Sequence, residues 1–499
     1  MIQGTSYKNK MNESIVGIFK TEYCYYPPKK SFFRPDKDYP ELTSLNMPLS
    51  SEKNHVYEAV REALYLAGFD ATHFGTPDWN PFAAYIKKKD TVLIKPNLVM
   101  DKNHNQDGGT DCLYTHPSVV APIIDYVLLA LGCTGRIIIG DAPMQECNFD
   151  SLIENSGYKQ LVEFYKNRYG CNIRLVDFRQ LSSVVINGIH HFSIDESKEG
   201  KIINLGKDSV HFQEGEQSHK IRITNYDPRI LRLHHYQDKH EYFISSHVLN
   251  ADVLINIPKP KVHRKAGMTI SLKNMIGINV RKEFLPHHTM GAISQGGDEY
   301  KDKNLIHSFR SYMLDKKNIY VFENKYGKAR LAYIVIKCLS RILELTKNDF
   351  YREGNWYGND TISKTIVDLN RIVQYADKNG VLQANRTRKM IIVADMIIAG
   401  EKEGPVAPSP KELGIIAAGT NPVCFDEIIA TLVGFDYHKI PSITRAREAN
   451  QRYALVDQEV KPVVASNLPD LNGSHLEQIP LIEDFILIPT SGWKSHIER

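Results

Sequence analysis

Short apolar runs alternate with amphipathic segments in the first half of the chain. Residues 91–94 form one such run, and the runs at 136–141 and 172–178 follow it. The segments between them, 115–131 and 149–168, carry apolar residues at the three- and four-residue spacing of a helix. An alternation of strand, helix, strand, helix and strand is typical of a parallel sheet that has helices on its faces.

This alternation stops near residue 178 and resumes near residue 252. Residues 179–247 contain short alternating stretches separated by Asn-Gly, Glu-Gly and Asp-Pro, which are typical of hairpins. Apolar runs return at 252–258, 390–398 and 413–418, while residues 301–385 have a mostly helical pattern. We therefore predict an α/β fold with a mainly parallel, Rossmann-like sheet, an inserted β subdomain and an inserted helical segment.

The predicted organisation has six segments. They are an N-terminal arm and helix (1–80), a first α/β half (81–178), a β-rich insertion (179–247), a second α/β half (248–300), a helical insertion (301–385) and a C-terminal part that completes the core (386–499). Residues 1–50 show no regular pattern, and their prolines and aromatic residues suggest an extended arm that packs on the rest of the chain. A single sheet is expected to combine residues 85–178 with residues 250–435.

Composition and charge exclude several classes of protein. The 499 residues carry a net charge of only +4, and the charges are interspersed, so no nucleic-acid partner is expected. None of the seven cysteines forms a C-x-x-C pair, so no cysteine-ligated iron–sulfur cluster is expected, and scattered reduced thiols suit the cytoplasm. The polar N-terminus, Met1 to Lys20, is predicted to be neither a signal peptide nor a transmembrane anchor.

The longest apolar stretch, residues 329–346, is predicted to form a helix that does not span a membrane. It is interrupted by four charged residues that fall on one narrow stripe, namely Arg330, Lys337, Arg341 and Glu344. We expect this helix to be buried, either against the body of the chain or in a homo-oligomer contact. Contact with a membrane surface is the alternative.

Polar and ionisable side chains follow the predicted strands, and ligands in open α/β sheets bind beyond the carboxyl ends of the strands. The residues expected to bind an anionic ligand are Lys95, Asn97, Thr115, His116, Lys259, Lys261, Thr269 and Asn274. Three acidic residues, Asp141, Asp395 and Glu401, are candidates to hold a divalent cation. Helix capping and turn formation are the alternative roles for these polar residues.

The segment from Lys259 to Lys273 has the highest density of candidate chemistry. Lys273 lies between Ile270-Ser-Leu272 and Met275-Ile276, where an unpaired charge is costly, so a functional role is favoured over a surface position. His263 is the candidate for proton transfer, and the pair His287-His288 offers a second imidazole, of which at most one is expected to contribute. A helix that starts near Gly267 or Thr269 would present its backbone N–H groups to an anion, with Lys273 about one turn into it. A solvated basic loop is the alternative. Lys273→Ala is expected to abolish ligand binding or activity, whereas Lys265→Ala is expected to have little effect.

Six ordered motifs resemble the family known as domain of unknown function 362. They are Val92-Leu-Ile-Lys-Pro-Asn-Leu-Val99, Thr115-His-Pro117, Gly140-Asp-Ala-Pro143, Asn256-Ile-Pro-Lys259, Ser271-Leu-Lys-Asn-Met-Ile-Gly277 and Gly400-Glu-Lys-Glu-Gly-Pro405. The resemblance runs from about residue 85 to about residue 440. Lys402 and Asn421 stand where the family pattern usually has Gly and Asp, which implies that a ligand at these positions is bound differently. Some members carry a ferredoxin-like cysteine cluster, which this chain lacks.

A shorter pattern, His263-x-x-x-Gly267-x-Thr269-x-x-x-Lys273, is similar to a motif of nickel-pincer lactate racemases. That resemblance implies a racemase-like enzyme in which His263 is a catalytic acid/base and Lys273 holds a covalently attached nickel cofactor. The metal-ligand pattern of those racemases is otherwise not convincingly present in this chain.

Three hypotheses on function follow. The first is an enzyme that acts on a small anionic substrate, such as a hydroxy acid, a carboxylate or a phosphorylated compound, with His263 and Lys273 as catalytic residues. The second is a non-catalytic binding or assembly protein that uses the N-terminal arm and the helix 329–346. The third is the racemase-like enzyme. An enzyme requires a closed pocket that joins residue 263 to residues 95, 141 and 395, whereas an assembly protein does not.

Overall fold

The computed structural model describes residues 13–31, 33–212, 218–346, 352–448 and 452–499. Its strands are β1 (Ile15–Lys20), β2 (Thr91–Pro96), β3 (Arg136–Asp141), β4 (Ile173–Asp177), β5 (Leu181–Ile186), β6 (Ile189–Ile194), β7 (Gly200–Asn204), β8 (Ile221–Arg222), β9 (His235–Tyr236), β10 (Lys239–Ser245), β11 (Val253–Ile257), β12 (Lys261–His263), β13 (Gly267–Thr269), β14 (His288–Thr289), β15 (Lys389–Glu403), β16 (Ala407–Gly419) and β17 (Val463–Ser466). Its α-helices are α1 (His55–Leu66), α2 (Pro117–Leu131), α3 (Phe149–Ser156), α4 (Tyr158–Tyr169), α5 (Pro228–His234), α6 (Ser246–Leu249), α7 (Ser271–Asn274), α8 (Leu305–Phe322), α9 (Tyr326–Leu345), α10 (Thr361–Tyr375), α11 (Pro422–Leu432) and α12 (Pro441–Glu448).

A ten-stranded sheet forms the centre of the described part of the chain. Its main path has the order β17-β1-β16-β15-β11-β2-β3-β4, and the small pair β12 and β13 attaches to β15. The five neighbours β15, β11, β2, β3 and β4 are parallel. The parallel part of the sheet begins with β2 in its middle. The chain then moves outward through β3 to β4 and returns to the other side of β2 with β11 and β15. The strand order therefore reverses between β2 and β11, as it does in doubly wound sheets. The prediction of an α/β fold with a mainly parallel sheet is confirmed.

Successive residues of the central strands point into two different cores. Val92 and Ile94 of β2 pack with helices α1, α2 and α4, whereas Leu93 packs with helices α10 and α11 on the other face. This two-residue period follows from the geometry of a strand, in which neighbouring side chains point to opposite faces of the sheet. The continuous apolar runs in the sequence therefore belong to strands that are covered by helices on both sides.

The prediction that residues 1–50 are irregular is wrong for residues 15–20. They form β1, which lies between β16 and β17, antiparallel to the first and parallel to the second. Gly17 interrupts the apolar pattern, yet the structure requires glycine there, because a Cβ atom would lie 2.4 Å from the carbonyl oxygen of Ala63 in α1. The first twelve residues of the predicted polar N-terminus lie outside the described residues.

Two further elements differ from their predictions. The single helix predicted over 149–168 is two helices, α3 and α4, because Gly157 between them has a φ of 99°. The predicted strands 390–398 and 413–418 are parts of a longer antiparallel hairpin, β15 and β16.

The two segments inserted between the strands lie on the carboxyl side of the sheet. The segment between β4 and β11 contains the hairpin β5–β6 and the three-stranded sheet β7-β10-β9. The segment between β11 and β15 contains α8 and α9, which pack against each other, and α10, which belongs to the core. Helix α9 is buried along one side only, and in the described ranges no helix combines the length and the apolar character that crossing a membrane requires.

Candidate functional site

A cavity of about 430 Å³ lies beyond the carboxyl ends of β2, β3 and β11. This is the point at which the strand order reverses, where doubly wound sheets bind their ligands. Its walls include Asn97 after β2, Asp141 at the end of β3, and Lys261 and His263 of β12. The β-rich insertion adds residues 223–226, and the volume falls within the range of small-molecule sites.

The floor of the cavity is a buried ion pair. Lys95 Nζ lies 2.7 Å from Asp141 Oδ1, and Asp141 also accepts hydrogen bonds from the backbone N–H groups of Leu98 (2.6 Å) and Ala142 (2.8 Å). Burial lowers the pKa of Lys95, and the charge of Asp141 opposes this effect. Gly277 packs so closely on the pair that a Cβ atom there would lie 1.9 Å from Asp141 Oδ1. The pair therefore fixes the ends of β2 and β3 and does not offer Lys95 to a ligand.

A chain of amide groups continues from this floor. Asn274 Oδ1 accepts a hydrogen bond from Asn97 Nδ2 (3.0 Å), and Asn274 Nδ2 donates to Asn256 Oδ1 (2.8 Å). Lys261 Nζ donates to Asn97 Oδ1 and to the carbonyl oxygen of Leu113 (2.6 Å). Burial, together with the neighbouring charge of Lys259, lowers the pKa of Lys261 to about 7. These bonds leave the orientation of each amide fixed.

Lys273 is the cavity lysine that lacks an internal partner. No hydrogen bond or ion pair joins its Nζ to any residue of the described ranges, and its side chain is half-buried in the cavity wall. Burial and the nearby charges of Lys282 and Lys95 lower the pKa of Lys273 to about 7. The helix that carries it is shorter than predicted, because residues 267–269 form β13 antiparallel to β12 and the helix begins at Ser271. Lys273 is thus its third residue, and a four-residue helix offers no anion site of its own.

Two of the three imidazoles that line the cavity, those of His263 and His287, are in opposite tautomeric states; the third is that of His104. His263 Nδ1 accepts hydrogen bonds from the backbone N–H groups of Lys265 (3.1 Å) and Ala266 (3.2 Å), so the neutral ring carries its proton on Nε2. His287 Nδ1 lies 2.8 Å from the carbonyl oxygen of Leu285, which only accepts, so this ring has its lone pair on Nε2. Burial holds the pKa of His263 well below its usual value and lowers the pKa of His287 to about 3. The cavity therefore holds one imidazole donor and one imidazole acceptor.

The sequence pattern missed two further cavity lysines. Lys265 is nearly buried and donates to the carbonyl oxygen of Glu353, so the alternative of a solvated basic loop does not describe this residue. Lys282 donates to the carbonyl oxygen of Ala142 (2.8 Å). Burial lowers the pKa of each to about 8. In the sequence, Lys282 stands in an ordinary charged run, Arg281-Lys-Glu283, and only its burial distinguishes it.

The wall of the cavity has an excess of positive charge. Five cationic side chains contribute to it: Lys261, Arg264, Lys265, Lys273 and Lys282. Of the three carboxylates that also line it, Asp141 is paired with Lys95 and Glu353 is paired with Arg310 at 2.8 Å. Such a wall attracts an anion and disfavours a cation.

Four of the predicted site residues lie outside the cavity wall, and Thr115 accepts a hydrogen bond from the backbone N–H of the cavity residue Asn97 at 2.9 Å. Lys259 Nζ lies 3.1 Å from Asp395 Oδ2, and Tyr26 Oη donates to Asp395 Oδ1 at 2.6 Å. The ring of Tyr26 stacks on His116 at 4.0 Å, and the His116 backbone N–H donates to Asp395. Thr115 Oγ1 donates to the carbonyl oxygen of Ile257 at 2.8 Å. None of these side chains lines the cavity, so they anchor the N-terminal arm and the strand ends.

The structure does not bring the three candidate metal ligands together. Asp141 is paired with Lys95, Asp395 with Lys259, and Glu401 Oε2 accepts a hydrogen bond from the backbone N–H of Ile488 at 3.1 Å. Across the described ranges no group of three His, Cys, Asp or Glu side chains has an arrangement that suits a metal ion. Of the remaining predicted residues, Asn97, Lys261, His263, Thr269, Lys273 and Asn274 share the cavity.

Residues 92–207 and 209–431 match the family model described as Domain of unknown function (DUF362). The chain belongs to this family. The matched residues include the carboxyl ends of β2, β3 and β11 and every cavity residue discussed above. A curated relative, the thylakoid-associated protein sll1697 of Synechocystis sp. (strain ATCC 27184 / PCC 6803 / Kazusa), is 27% identical over 196 residues. The aligned part covers 39% of this chain and 40% of the relative, so the chain spans about two fifths of the length of that protein.

Proposed function

We propose that this DUF362 protein is an enzyme that binds a small anionic substrate in the cavity and moves a proton on it. The observation that carries the proposal is Lys273, an amine with no partner among the described residues, in a wall of excess positive charge. A hydroxy acid, a carboxylate or a phosphorylated compound provides the missing negative charge. Because the hydrogen-bond donors of the cavity are already held in place, they need to move little when an anion binds, and the free-energy cost of reorganisation is small.

Each cavity residue has a separate role in this proposal. The ammonium group of Lys273 pairs with the anion, and its pKa of about 7 also lets the neutral amine accept a proton near neutral pH. His263 Nε2–H donates to a substrate oxygen, whereas the lone pair of His287 Nε2 accepts a proton or a hydrogen bond. Lys261 and Lys282 hold Asn97 and the loop after β3 in place.

The alternatives use the same cavity and make different predictions. A non-catalytic binding protein would bind the anion without turnover. A covalently held nickel cofactor, as implied by the racemase resemblance, would use the free amine of Lys273 and would appear as added mass on that residue and as nickel in elemental analysis. The cytoplasmic location stays a prediction, because the name of the relative associates that protein with thylakoids.

Isothermal titration calorimetry with lactate and with inorganic phosphate tests the proposal. When an anion pairs with Lys273, it favours the charged form and raises the pKa, so binding takes up protons and the heat depends on the buffer. We expect Lys273→Met to weaken binding at least about tenfold, since a charge-assisted contact is lost. The matched control is Lys166→Met on the exposed side of α4, which should bind like the unmodified protein. Equal affinities for the two variants would refute the role of Lys273.

A further inference from the structure

Helix α9 presents an exposed apolar face that no described part of the chain covers. One side of the helix is buried against the protein through Ala329, Ala332, Ile336 and Leu343. The opposite side exposes Leu331 (67%), Ile334 (50%), Ile342 (44%) and Leu345 (85%). Large apolar side chains that are exposed in one contiguous patch mark a contact surface.

A row of cations borders this apolar face. Arg330, Lys337 and Arg341 are exposed, and their spacing of seven and four residues places them in line along the helix. Exposed Glu344 ends the same stripe, so three cations and one carboxylate leave it with a net positive charge. At about 100° per residue, the centre of the row lies roughly 40° from Ile334, at the edge of the apolar stripe. An apolar stripe with basic residues along its border is typical of helices that lie in the interface of an anionic membrane.

The hairpin β5–β6 extends the same surface on the other side of the cation row. Gly188 at its turn packs against the ring of Tyr333, and His191 stacks on Tyr326 at 4.3 Å, so the hairpin is held on the first half of α9. The hairpin exposes Val184 (67%) and Ile186 (51%), which lie on the same face as His191. These side chains extend the exposed apolar area of α9, and it is the contiguous area that marks a contact surface.

We propose that α9 and the hairpin β5–β6 form a docking surface for anionic lipid, with α9 lying parallel to the plane of the membrane. The charge pattern favours a lipid surface over a second copy of the chain. In an antiparallel two-fold contact through α9, the cation rows of both copies would lie along the same edge and repel each other. Phosphate headgroups instead neutralise the row while the apolar stripe enters the acyl boundary.

An environment-sensitive fluorophore on Cys338 tests the proposal directly. Cys338 is exposed and lies in the middle of the apolar stripe of α9. The chain for this test carries Cys24→Ser and Cys133→Ser, so that the label reacts with Cys338. Its fluorescence emission should shift to shorter wavelength when vesicles of phosphatidylcholine with about one third phosphatidylglycerol are added. Vesicles of phosphatidylcholine alone should cause no shift. The control is a chain with Cys24→Ser and Cys338→Ser, labelled on exposed Cys133. This residue precedes β3 at the opposite, amino edge of the sheet, and the emission of its label should not shift.

Matched charge variants separate specific docking from general attraction. The triple variant Arg330→Gln, Lys337→Gln, Arg341→Gln should lose on the order of 100-fold in vesicle affinity, since each basic residue near the surface contributes to binding. The control variant Lys87→Gln, Lys88→Gln, Lys89→Gln removes the same charge from an exposed loop and should bind normally. Leu331→Glu should abolish the fluorescence shift of the label on Cys338. Equal binding by both triple variants, or a dimer in vesicle-free solution that Leu331→Glu dissociates, would overturn the proposal.

Discussion

At the scale of single residues, the contact of Gly277 with the buried ion pair is the most constrained feature of the site. A Cβ atom there would lie 1.9 Å from Asp141 Oδ1 and 2.8 Å from Lys95 Nζ, so Gly277→Ala must displace one partner of the pair. We expect a loss of about 3 kcal/mol in the free energy of unfolding, because breaking a buried pair leaves an uncompensated charge. The measurement is denaturant unfolding followed by circular dichroism.

Gly327→Ala is the matched control for this substitution. Gly327 lies in the first turn of α9, where nothing lies within 4 Å of the added Cβ atom, so the stability should stay equal or rise slightly. If Gly277→Ala is as stable as this control, the close packing of Gly277 on the pair is refuted.

The lowered lysine pKa values predict how anion binding depends on pH. Lys261 and Lys273, each with a pKa of about 7, are charged below that value and lose their charge above it. The affinity for lactate, whose carboxylate stays ionised throughout, should therefore fall as the pH rises from about 6 to about 8. Titrations at several pH values measure this. In Lys273→Met the dependence should be weaker, and a flat profile in the unmodified protein would contradict these pKa values.

At the scale of elements, strand β1 depends on one glycine for its contact with α1. A side chain at Gly17 would collide with the backbone of residues 63 and 67, which cannot move without displacing the helix. Gly17→Val should lower the free energy of unfolding by about 1–3 kcal/mol, as overpacking usually does. Thermal unfolding measures the change. The control is Ile15→Val in the same strand, at a half-buried position where the loss should be below about 1.5 kcal/mol.

The central elements could be predicted from the sequence because their signals are local. Continuous apolar runs predict the buried strands β2, β3 and β11. The sequence Thr-His-Pro, which is typical of a helix start, predicts the beginning of α2. Strand β1 could not be predicted, because its partners β16 and β17 are almost 400 residues or more away and Gly17 interrupts its pattern. Periodicity also could not show that residues 267–269 would pair with β12 and not begin a helix.

The candidate site was predicted in part for a similar reason. The rule that ligands bind at strand ends pointed to the region in which the cavity lies. It did not separate Lys259 from Lys261, which follow the same strand and have different partners. The partner of Lys259 is Asp395, held by Tyr26 from the N-terminal arm, and no local pattern encodes that contact. Nor does the sequence show burial, which is what distinguishes Lys265 and Lys282 from surface lysines.

At the scale of the whole molecule, the two inserted segments complete the cavity that the sheet begins. The β-rich insertion contributes residues 223–226 to the wall, and the helical insertion contributes Glu353 and Asn355. A ligand must therefore enter past elements that are not part of the central sheet. How firmly the β-rich insertion is held against the core then determines access to the cavity.

Three buried histidines hold the β-rich insertion against helix α10. The ring centroids of His211, His235 and His240 lie 5.7–6.0 Å apart, and all three side chains are buried. His211 Nε2 donates to Thr365 Oγ1 of α10 at 2.9 Å, and His235 Nε2 donates to the carbonyl oxygen of Phe284 at 2.8 Å. Neither ring nitrogen of His240 has a hydrogen-bond partner in the described structure. The cluster thus requires neutral imidazoles.

This cluster predicts that the insertion loosens in acid before the central sheet does. Burial holds the pKa of His211 well below its usual value and lowers the pKa of His235 and His240 to about 3 and about 4. The nearby cation Lys364 lowers the pKa of His211 and His240 further, and Arg445 adds to the effect on His211. Because the unfolded value is about 6.5, the cluster's stability is fully present above that pH and is lost as the pH falls toward the folded values.

Hydrogen exchange followed by mass spectrometry, corrected for the intrinsic rate, measures the effect at about pH 7.5 and about pH 5. Protection in residues 200–245 should fall at the lower pH, while protection in β2 and β3 should not. Each histidine accounts for up to about 1.4 kcal/mol per pH unit in this window. His240→Leu removes a buried ring that has no partners, so it should reduce the acid sensitivity without loss of stability at neutral pH. If the insertion and the central sheet lose protection in parallel, the histidine cluster is not the acid-sensitive contact.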